Sequence, residues 1–418
     1  MSFEDYIINI GRQAKEASRI MATASTDLKN NALLYMAEAL INSKSTIIDA
    51  NMKDMELGKK NNLSEAMLDR LMINEKRIEN MAEGLKNMAS LPDPIGEGIK
   101  RWKRPNNLDI SMVRVPLGVI GMIYESRPNV TVDAASLCLK SGNSIILRGG
   151  SEAINTNIAL AKVIRKAATN VGLPEGCIQL IEMVDRELVN HLIKLNDYVD
   201  VIIPRGGKAL KKAIIGNASV PVIETGSGIC HIYVDSEADL SMAEEIIVNA
   251  KTQRPGVCNA VETVLVHRNI ASEFLPRLAK RLYGLGVEIR ICEKGIKIIS
   301  GAKAANDEDF ATEYLDLILS IKVVDGVEEA IDHIFKYGTK HSEAIITDSY
   351  KNSKKFLKEV DASCVYVNAS TRFTDGAEFG FGAEIGISNQ KLHARGPMGL
   401  QQLTTTKYLI YGEGQVRE

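Results

Sequence analysis

The sequence lacks several features that would assign it to a class at once. Its six cysteines are scattered through 418 residues without a C-x-x-C pair, which argues against a zinc ribbon or a thioredoxin-like site. No apolar run is long enough to span a bilayer, and the first residues do not have the pattern of a secretory signal. The formal net charge is only −2, so neither nucleic acid nor an acidic membrane is expected as a partner. We therefore expect a cytoplasmic protein with reduced thiols and no metal site.

Short catalytic motifs are also missing. The sequence contains no G-x-x-x-x-G-K-[ST] phosphate loop, no H-E-x-x-H zinc helix and no strand followed by G-x-G-x-x-G. The absence of G-x-S-x-G further weakens the case for a serine hydrolase. Composition and motifs alone therefore predict no more than a large α/β protein with an ordinary core.

Alternating short β-rich runs and helical runs dominate the chain after an initial helical region of about one hundred residues. Five apolar runs between residues 118 and 224 read as buried strands, namely 118–124, 143–148, 177–183, 200–204 and 221–224. A second series of six follows, namely 231–235, 261–266, 287–292, 317–324, 343–347 and 363–368. Buried strands separated by helices predict two doubly wound parallel sheets, in which ligands bind beyond the carboxyl ends of the strands.

Cys258 is the strongest candidate for a reactive residue. It follows the turn at Pro255-Gly256 and precedes a strand, so its sulfur could project into a cleft. Arg254 and Lys251 lie just upstream, and a nearby positive charge stabilises a thiolate. On spacing alone, a buried structural cysteine is the more common outcome, as expected for the other five.

Several long segments together resemble the aldehyde dehydrogenase superfamily and, within it, the gamma-glutamyl phosphate reductases. They occur in the order and spacing of that family between about residues 115 and 400. The segments are VPLGVIGMIYESRPNVTVDAASLCLKSGNSIILRGGSEAINTN, VPVIETGSGICHIYVD, NAKTQRPGVCNAVETVLVH and FTDGAEFGFGAEIGISNQKLHARGPMGL.

The resemblance implies a catalytic set. It places the nucleophile at Cys258, an amide near the thioester oxygen at Asn129, and an upstream glutamate at Glu224. In aldehyde-oxidising relatives the matching glutamate activates water, which a phosphate reductase must avoid. Glu224 could instead help to deprotonate Cys258, organise the loop that follows it, or have no catalytic role.

A cofactor site is implied as well. Arg148 matches the cation that reaches the adenosine ribose, and the small residues after it leave room for a 2′-phosphate, namely Gly149, Gly150 and Ser151. Because arginine pairs well with phosphate, NADPH is expected rather than NADH. Arg205, Gly206 and Gly207 open a helix where relatives hold the pyrophosphate, and a helix N-terminus suits an anion.

The implied protein has two Rossmann-like domains and a small β oligomerisation arm. Residues 1–104 and 117–226 would bind NADPH, 227–400 would carry the nucleophile, and 105–116 with 401–414 would form the arm. The expected reaction is the reduction of L-glutamyl 5-phosphate to L-glutamate 5-semialdehyde through a Cys258 thioester, in proline biosynthesis. The expected partners are a second copy in a homodimer or homotetramer, and glutamate 5-kinase as the donor of its labile product.

Five basic residues are candidates for the substrate's phosphate and α-carboxylate, namely Lys251, Arg254, Arg372, His393 and Arg395. Arginine suits both groups through bidentate pairing, which favours Arg254 and Arg395. Any of the five could equally be a solvated surface charge.

Three other functions remain open at this stage. A CoA-acylating or hydrolytic aldehyde dehydrogenase would keep Cys258 but change the acyl acceptor, so reaction with CoA would reveal it. A cysteine acyltransferase without redox chemistry would need a nearby histidine, and none lies in the Cys258 segment. A non-catalytic binding protein would have no use for a cysteine, an amide and a cation at all three matched places.

Overall fold

The computed structural model describes residues 2–417, apart from the side chain of residue 66. Within this range the chain forms two compact units. The first unit contains residues up to Glu224 together with Gly380–Gly386 and the residues from Met398 onward. The second unit contains Thr225–Phe379 and Ile387–Pro397.

Five helices open the first unit, as the sequence predicts. They are α1 (Phe3–Met21), α2 (Thr26–Asn42), α3 (Lys44–Lys60), α4 (Glu65–Leu71) and α5 (Glu75–Ser90). Ser25 caps α2 by accepting a hydrogen bond from the backbone N–H of Leu28, and Ser64 caps α4 in the same way from Met67. These caps satisfy amide groups that have no partner inside the helix.

Four parallel strands form the central sheet of the first unit. The elements after α5 are β1 (Gly98–Lys103), β2 (Asp109–Pro116), β3 (Val119–Tyr124), α6 (Val130–Lys140), β4 (Ser144–Arg148), α7 (Ile154–Asn170), β5 (Ile178–Leu180), α8 (Glu187–Leu192), β6 (Val201–Arg205) and α9 (Lys208–Asn217). The sheet has the order β5-β4-β3-β6, and its strands are buried on both faces by helices. Residues 221–224, expected as a strand, make only one bridge, between Ile202 and Val222.

Seven parallel strands form the sheet of the second unit. Its elements are β7 (Cys230–Val234), α10 (Leu240–Thr252), β8 (Val261–His267), α11 (Arg268–Gly284), β9 (Glu288–Ile291), β10 (Lys303–Ala304), α12 (Asp307–Phe310), β11 (Ile318–Val324), α13 (Val327–Tyr337), β12 (Ser342–Ile346), α14 (Tyr350–Glu359) and β13 (Cys364–Val367). The strand order is β10-β9-β11-β8-β7-β12-β13. Two α/β units with parallel sheets confirm the predicted fold class.

A short antiparallel pair, β14 (Ile387–Ser388) and β15 (Gly396–Pro397), belongs to the second unit. The sequence assigned residues 380–386 to the same domain, but in the structure they belong to the first unit. Two contacts explain this position. The backbone N–H of Ile385 donates to the Met398 carbonyl at 2.9 Å, and the Ile385 carbonyl accepts a bond of 3.1 Å from the Arg205 guanidinium.

A separate three-stranded antiparallel sheet contains both segments of the predicted arm. The last strand, β16 (Thr404–Tyr411), pairs along its whole length with β2, and β1 pairs with the other side of β2. The two predicted arm segments thus pair with each other within one chain. The strand β1 was not predicted, because its residues GIKRWK are mostly exposed and show no apolar alternation.

Candidate active site

The carboxyl ends of three parallel strands gather most of the predicted cofactor residues in the first unit. Strands β4 and β6 flank β3, and Arg148 and Arg205 are their last residues. Glycine follows each of these arginines directly, so the backbone can turn sharply at the strand end. This is the edge at which open α/β sheets bind their ligands.

Arg148 is buried at this edge and bonds to backbone carbonyls. Its guanidinium donates to the carbonyl oxygens of Gly149 and Val184, the latter at 3.1 Å. Burial lowers its pKa, and repulsion from the nearby Arg186 guanidinium acts in the same direction. Among the described residues the Arg148 Nε has no hydrogen-bond partner. The unsatisfied Nε of Arg148 and the nearby charge of Arg186 are together suited to an anionic group.

Gly149 and Gly206 permit close approaches that a side chain would block. A Cβ atom at Gly149 would lie 2.1 Å from Nδ2 of Asn157, and one at Gly206 would lie 2.5 Å from Oε2 of Glu125. Gly207 is the N-cap of α9, and its N–H donates to the Glu125 carboxylate at 2.8 Å. The start of α9 therefore already accommodates a negatively charged group. Ser151 begins the short helical turn after β4 and is exposed.

Asn129 is the residue immediately before α6, and the structure fixes its side chain. Its Nδ2 donates to Oδ2 of Asp133 at 2.8 Å, across one helical turn. Burial raises the pKa of Asp133 to about 6, while the Asn129 amide and the Arg205 charge oppose this shift. The amide retains a second N–H for another acceptor.

Glu224 is the last residue of the first unit before the chain enters the second unit. It is half-buried. The backbone N–H of Ile223, the residue before it, donates to the Ile202 carbonyl at 2.9 Å.

Cys258 lies in the second unit, in the loop between α10 and β8, and is half-buried. Its backbone is tightly enclosed. The Cys230 thiol donates to the Cys258 carbonyl oxygen at 3.2 Å, and a Cβ atom at Gly228 would lie 1.5 Å from the same oxygen. The loop can therefore hold its conformation only if residue 228 is glycine, and the sulfur projects from a fixed backbone.

A second chain segment, Thr371–Phe373 with Thr374, is hydrogen-bonded to the residue after the nucleophile. The Asn259 Nδ2 donates to the Thr374 carbonyl at 2.9 Å, and the Thr371 hydroxyl donates to the Asn259 carbonyl at 2.7 Å. The Arg372 guanidinium donates to Asn259 Oδ1 and, at 2.9 Å, to Gln253 Oε1. A half-buried cation is thereby held beside the Cys258 loop.

The five candidate cations for the substrate differ in their surroundings. Lys251 is fully buried and bonds to Glu262 at 2.6 Å, and Arg395 forms an ion pair of 2.8 Å with Asp361. His393 is exposed, with a positive φ of 68°. Arg254 is exposed on the Cys258 loop, close enough to Arg372 for their charges to repel. The structure thus brings Arg254 and Arg372 to the Cys258 loop, while Arg395 pairs with Asp361, which also pairs with Lys340 and Lys391.

Comparison with known proteins places this site in a family. Residues 4–294 match the model of the aldehyde dehydrogenase family. The gamma-glutamyl phosphate reductase of Clostridium novyi is 61% identical over 417 residues, covering 100% of both chains. That of Moorella thermoacetica is 63% identical over 408 residues, covering 98% of each. The crystal structure of gamma-glutamyl phosphate reductase from Thermotoga maritima superimposes with a TM-score of 0.97 at 51% identity, covering 99% of this chain and 100% of that one.

The chain belongs to the gamma-glutamyl phosphate reductases. This family is part of the aldehyde dehydrogenase superfamily, which confirms the resemblance identified in the sequence. As a member of it, the protein is an oxidoreductase.

Three residues of this family member near the site were missed or undervalued by sequence reasoning. Asp133 lies four residues after Asn129 at a helix start, a spacing that does predict contact. Arg186 lies in a loop whose path no pattern reveals. Cys230 was assigned to the core, and it is indeed buried, but its thiol contacts the nucleophile's backbone.

Neither a membrane-spanning helix nor a metal-binding cluster occurs in the part of this reductase-family chain that the structure describes. None of its helices between residues 2 and 417 is both long and apolar enough to cross a bilayer. Over the same residues, no group of three or more histidine, cysteine or acidic side chains could hold a metal ion.

Proposed function

We propose that the protein reduces L-glutamyl 5-phosphate to L-glutamate 5-semialdehyde with NADPH, releasing phosphate, as a step toward proline. Full-length identity of about 60% to proteins named gamma-glutamyl phosphate reductase supports the substrate. The observation that carries the chemistry is the Cys258 loop, in which a half-buried thiol stands beside the fixed Arg372 guanidinium. A cation near a thiol favours the thiolate, which is the nucleophilic form of cysteine.

The Cys258 thiolate attacks the acyl carbon, the carbon–oxygen bond to phosphate breaks, and a thioester remains. The developing oxyanion needs preorganised donors, and the backbone N–H of Cys258 and the Asn129 amide are suited to this role. Asp133 fixes the Asn129 amide, so that no reorganisation is needed as charge develops. After reduction, collapse of the thiohemiacetal releases the aldehyde and restores the thiol.

The residues at the sheet edge of the first unit fit NADPH, which supplies the hydride when bound. Arg148 has an unpartnered Nε and a cationic neighbour in Arg186, which together suit a 2′-phosphate. The N-terminus of α9 suits the pyrophosphate, since it already binds the Glu125 carboxylate. Glu125 is exposed, so it can move aside for a competing anion.

Glu224 takes part in this scheme as a helper in forming the Cys258 thiolate or as an organiser of the loop that follows it. Activation of water is excluded by the chemistry, because hydrolysis of the thioester would waste the substrate as glutamate.

The test is the reverse reaction. The purified protein is mixed with glutamate semialdehyde, inorganic phosphate and NADP, and the absorbance of reduced nicotinamide is followed. We expect absorbance to rise only when phosphate is present, and CoA not to replace phosphate. Oxidation that proceeds without phosphate, or that depends on CoA, would show a hydrolytic or CoA-acylating aldehyde dehydrogenase instead.

The three-stranded sheet β1-β2-β16 is our proposed oligomerisation arm, which supports a homodimer or homotetramer. Both outer strands are largely exposed, including the large side chains of Tyr408, Ile410 and Tyr411. Exposed edge strands pair readily with another chain. A cytoplasmic location and direct transfer of substrate from glutamate 5-kinase remain predictions from the sequence.

A further inference from the structure

The segment that contains Arg372 is fixed relative to the Cys258 loop by hydrogen bonds on both sides of the sulfur. Asn259, the residue after the nucleophile, bonds through its side chain and its carbonyl to Thr371, Arg372 and Thr374. Gln253, five residues before Cys258, accepts a bond from the Arg372 Nε. The guanidinium therefore spans the loop from Gln253 to Asn259, and Cys258 lies between these two residues in the chain.

The guanidinium of Arg372 bonds to neutral amides instead of a carboxylate. Over residues 2–417, no ion pair is formed by either Arg372 or Arg254, whereas Lys251 and Arg395 each have one. An arginine held between amide oxygens keeps its full positive charge and part of its donor capacity for a ligand.

Two like charges lie near each other at this position, because Arg254 follows Gln253, whose side chain accepts the hydrogen bond from Arg372. Burial lowers the pKa of Arg372, and repulsion from Arg254 lowers it further, while Asp375, Cys258 and Glu378 act in the opposite direction. Holding two guanidinium groups together costs free energy unless an anion lies between or beside them. An anion with several oxygen atoms can accept hydrogen bonds from both, as phosphate commonly does.

We propose that Arg254 and Arg372 together bind the phosphoryl group of the acyl phosphate and hold the departing phosphate beside Cys258. This inference rests on the proposed function and names the phosphate subsite within it. During acylation the carbon–sulfur bond forms and the carbon–oxygen bond breaks, so the electron pair leaves on phosphate. The two guanidinium groups neutralise that charge. In the reverse direction they hold inorganic phosphate for attack on the thioester.

The pair also determines which acyl donor the enzyme accepts. If the acyl donor were a CoA thioester, the leaving group would be the CoA thiolate. The two guanidinium groups are instead arranged to bind the oxygen atoms of a phosphate. Arg395, which the sequence favoured for the substrate, pairs with Asp361 and, among the described residues, makes no hydrogen bond to the Cys258 loop. Lys251 is excluded from direct contact because it is fully buried and bonded to Glu262.

The experiment measures the reverse reaction of the full-length protein with phosphate as the varied substrate. For Arg372→Met we expect the KM for phosphate to rise about 10- to 100-fold, which matches the loss of charge-assisted bonds to one anion. The KM for NADP should stay within about twofold of the wild-type value, because the cofactor residues lie in the first unit. Arg372→Lys keeps the charge without the bidentate geometry, so it should give an intermediate KM.

A second measurement separates phosphate binding from activation of the thiol. Inorganic phosphate should protect Cys258 from iodoacetamide in the wild-type protein and much less in Arg254→Met, whose exposed side chain can be replaced without disturbing the fold. Arg268→Met is the matched control, since Arg268 is an exposed arginine of the second unit on α11. It should leave both the KM for phosphate and the protection unchanged.

The outcomes distinguish the two proposals. If wild-type protein oxidises the aldehyde only with phosphate, but Arg372→Met and Arg254→Met keep its KM for phosphate, the subsite is wrong and the function stands. If the wild-type reaction does not depend on phosphate, both proposals fail. A third outcome is that Arg372→Met loses activity with an unchanged KM for phosphate, and that iodoacetamide alkylates its Cys258 more slowly at every phosphate concentration. Arg372 would then act only on the thiol, which also overturns the subsite.

Discussion

The two parallel sheets of this protein carry their candidate site residues at opposite ends of their strands. In the first unit, Arg148 and Arg205 are the last residues of β4 and β6, where open α/β sheets are expected to bind ligands. In the second unit, Cys258 precedes β8, and Cys230, which contacts its backbone, is the first residue of β7. The general rule for α/β sheets therefore locates the candidate cofactor residues but would place the candidate nucleophile at the opposite edge.

The two edges also differ in how they hold charge. At the edge of the first unit, glycines and backbone groups meet cations, as expected for a region that binds a flexible dinucleotide. At the edge of the second unit, buried polar side chains enclose one loop, as expected for a group that must stay in place through a reaction. The following predictions test this division between cofactor binding and covalent chemistry.

Replacement of the nucleophile should have the largest effect. Cys258→Ser should lower kcat by about 10⁴-fold or more, as removal of a covalent nucleophile does in other enzymes. NADPH affinity, measured by fluorescence titration, should change less than about twofold, because the cofactor residues belong to the other unit. Full activity in this variant would remove the proposed mechanism, and loss of NADPH binding would show that the division between units is wrong.

Breaking the buried ion pair near the Cys258 loop should have the next largest effect. In the Lys251–Glu262 pair, burial lowers the pKa of the lysine and raises that of the glutamate. Lys251→Met leaves Glu262 buried without its partner and should lower the free energy of unfolding by about 3–5 kcal/mol. The double variant Lys251→Met/Glu262→Leu should recover most of this loss in chemical denaturation. Equal stability of the single and double variants would contradict a structural pair.

The sequence was informative where physical constraints are local. Buried apolar runs predicted the strands from β3 to β13 within a few residues, except β10, whose two residues are exposed. The strand β1 has no apolar face, so no pattern could reveal it. Cys258 was identified through the resemblance. Its contact with Cys230 joins residues 28 positions apart, and the bonds from Asn259 to the segment around Arg372 join residues more than one hundred positions apart. Long-range contacts of this kind are not visible in local periodicity.

Arg148 offers a test of cofactor choice at the edge of the first unit. If its guanidinium binds the 2′-phosphate, Arg148→Met should raise the KM for NADPH about 10- to 100-fold, corresponding to the loss of a charge-assisted bond. The KM for NADH, which lacks this phosphate, should change little. The quantity to measure is therefore the ratio of the KM for NADPH to the KM for NADH. Lys162→Met is the control, because Lys162 is an exposed cation of the first unit on α7. An equal rise for both cofactors would show that Arg148 only organises the loop through Gly149 and Val184.

The pH dependence of Asp133 should give the smallest and most specific effect. Burial raises its pKa to about 6 in the folded protein, above the ordinary value of 3.8. Between these two pH values the folded protein keeps a proton that the unfolded chain has released. Asp133 therefore favours the folded state below about pH 3.8, and this contribution is lost as the pH rises through about 6, by at most about 3 kcal/mol.

The same titration should be visible in catalysis. Above about pH 6 the Asp133 carboxylate accepts the Asn129 amide and faces the positive charge of Arg205, whereas below it the neutral acid is a weaker acceptor. The wild-type profile of kcat/KM should therefore fall several-fold below pH 6. In Asp133→Asn the side-chain oxygen still accepts the amide bond but does not titrate, so this acid limb should disappear while activity at pH 7.5 is largely retained. An unchanged acid limb in the variant would assign it to another group, and a large loss at every pH would mean that Asn129 depends on the charge of Asp133 as well as on its hydrogen bond.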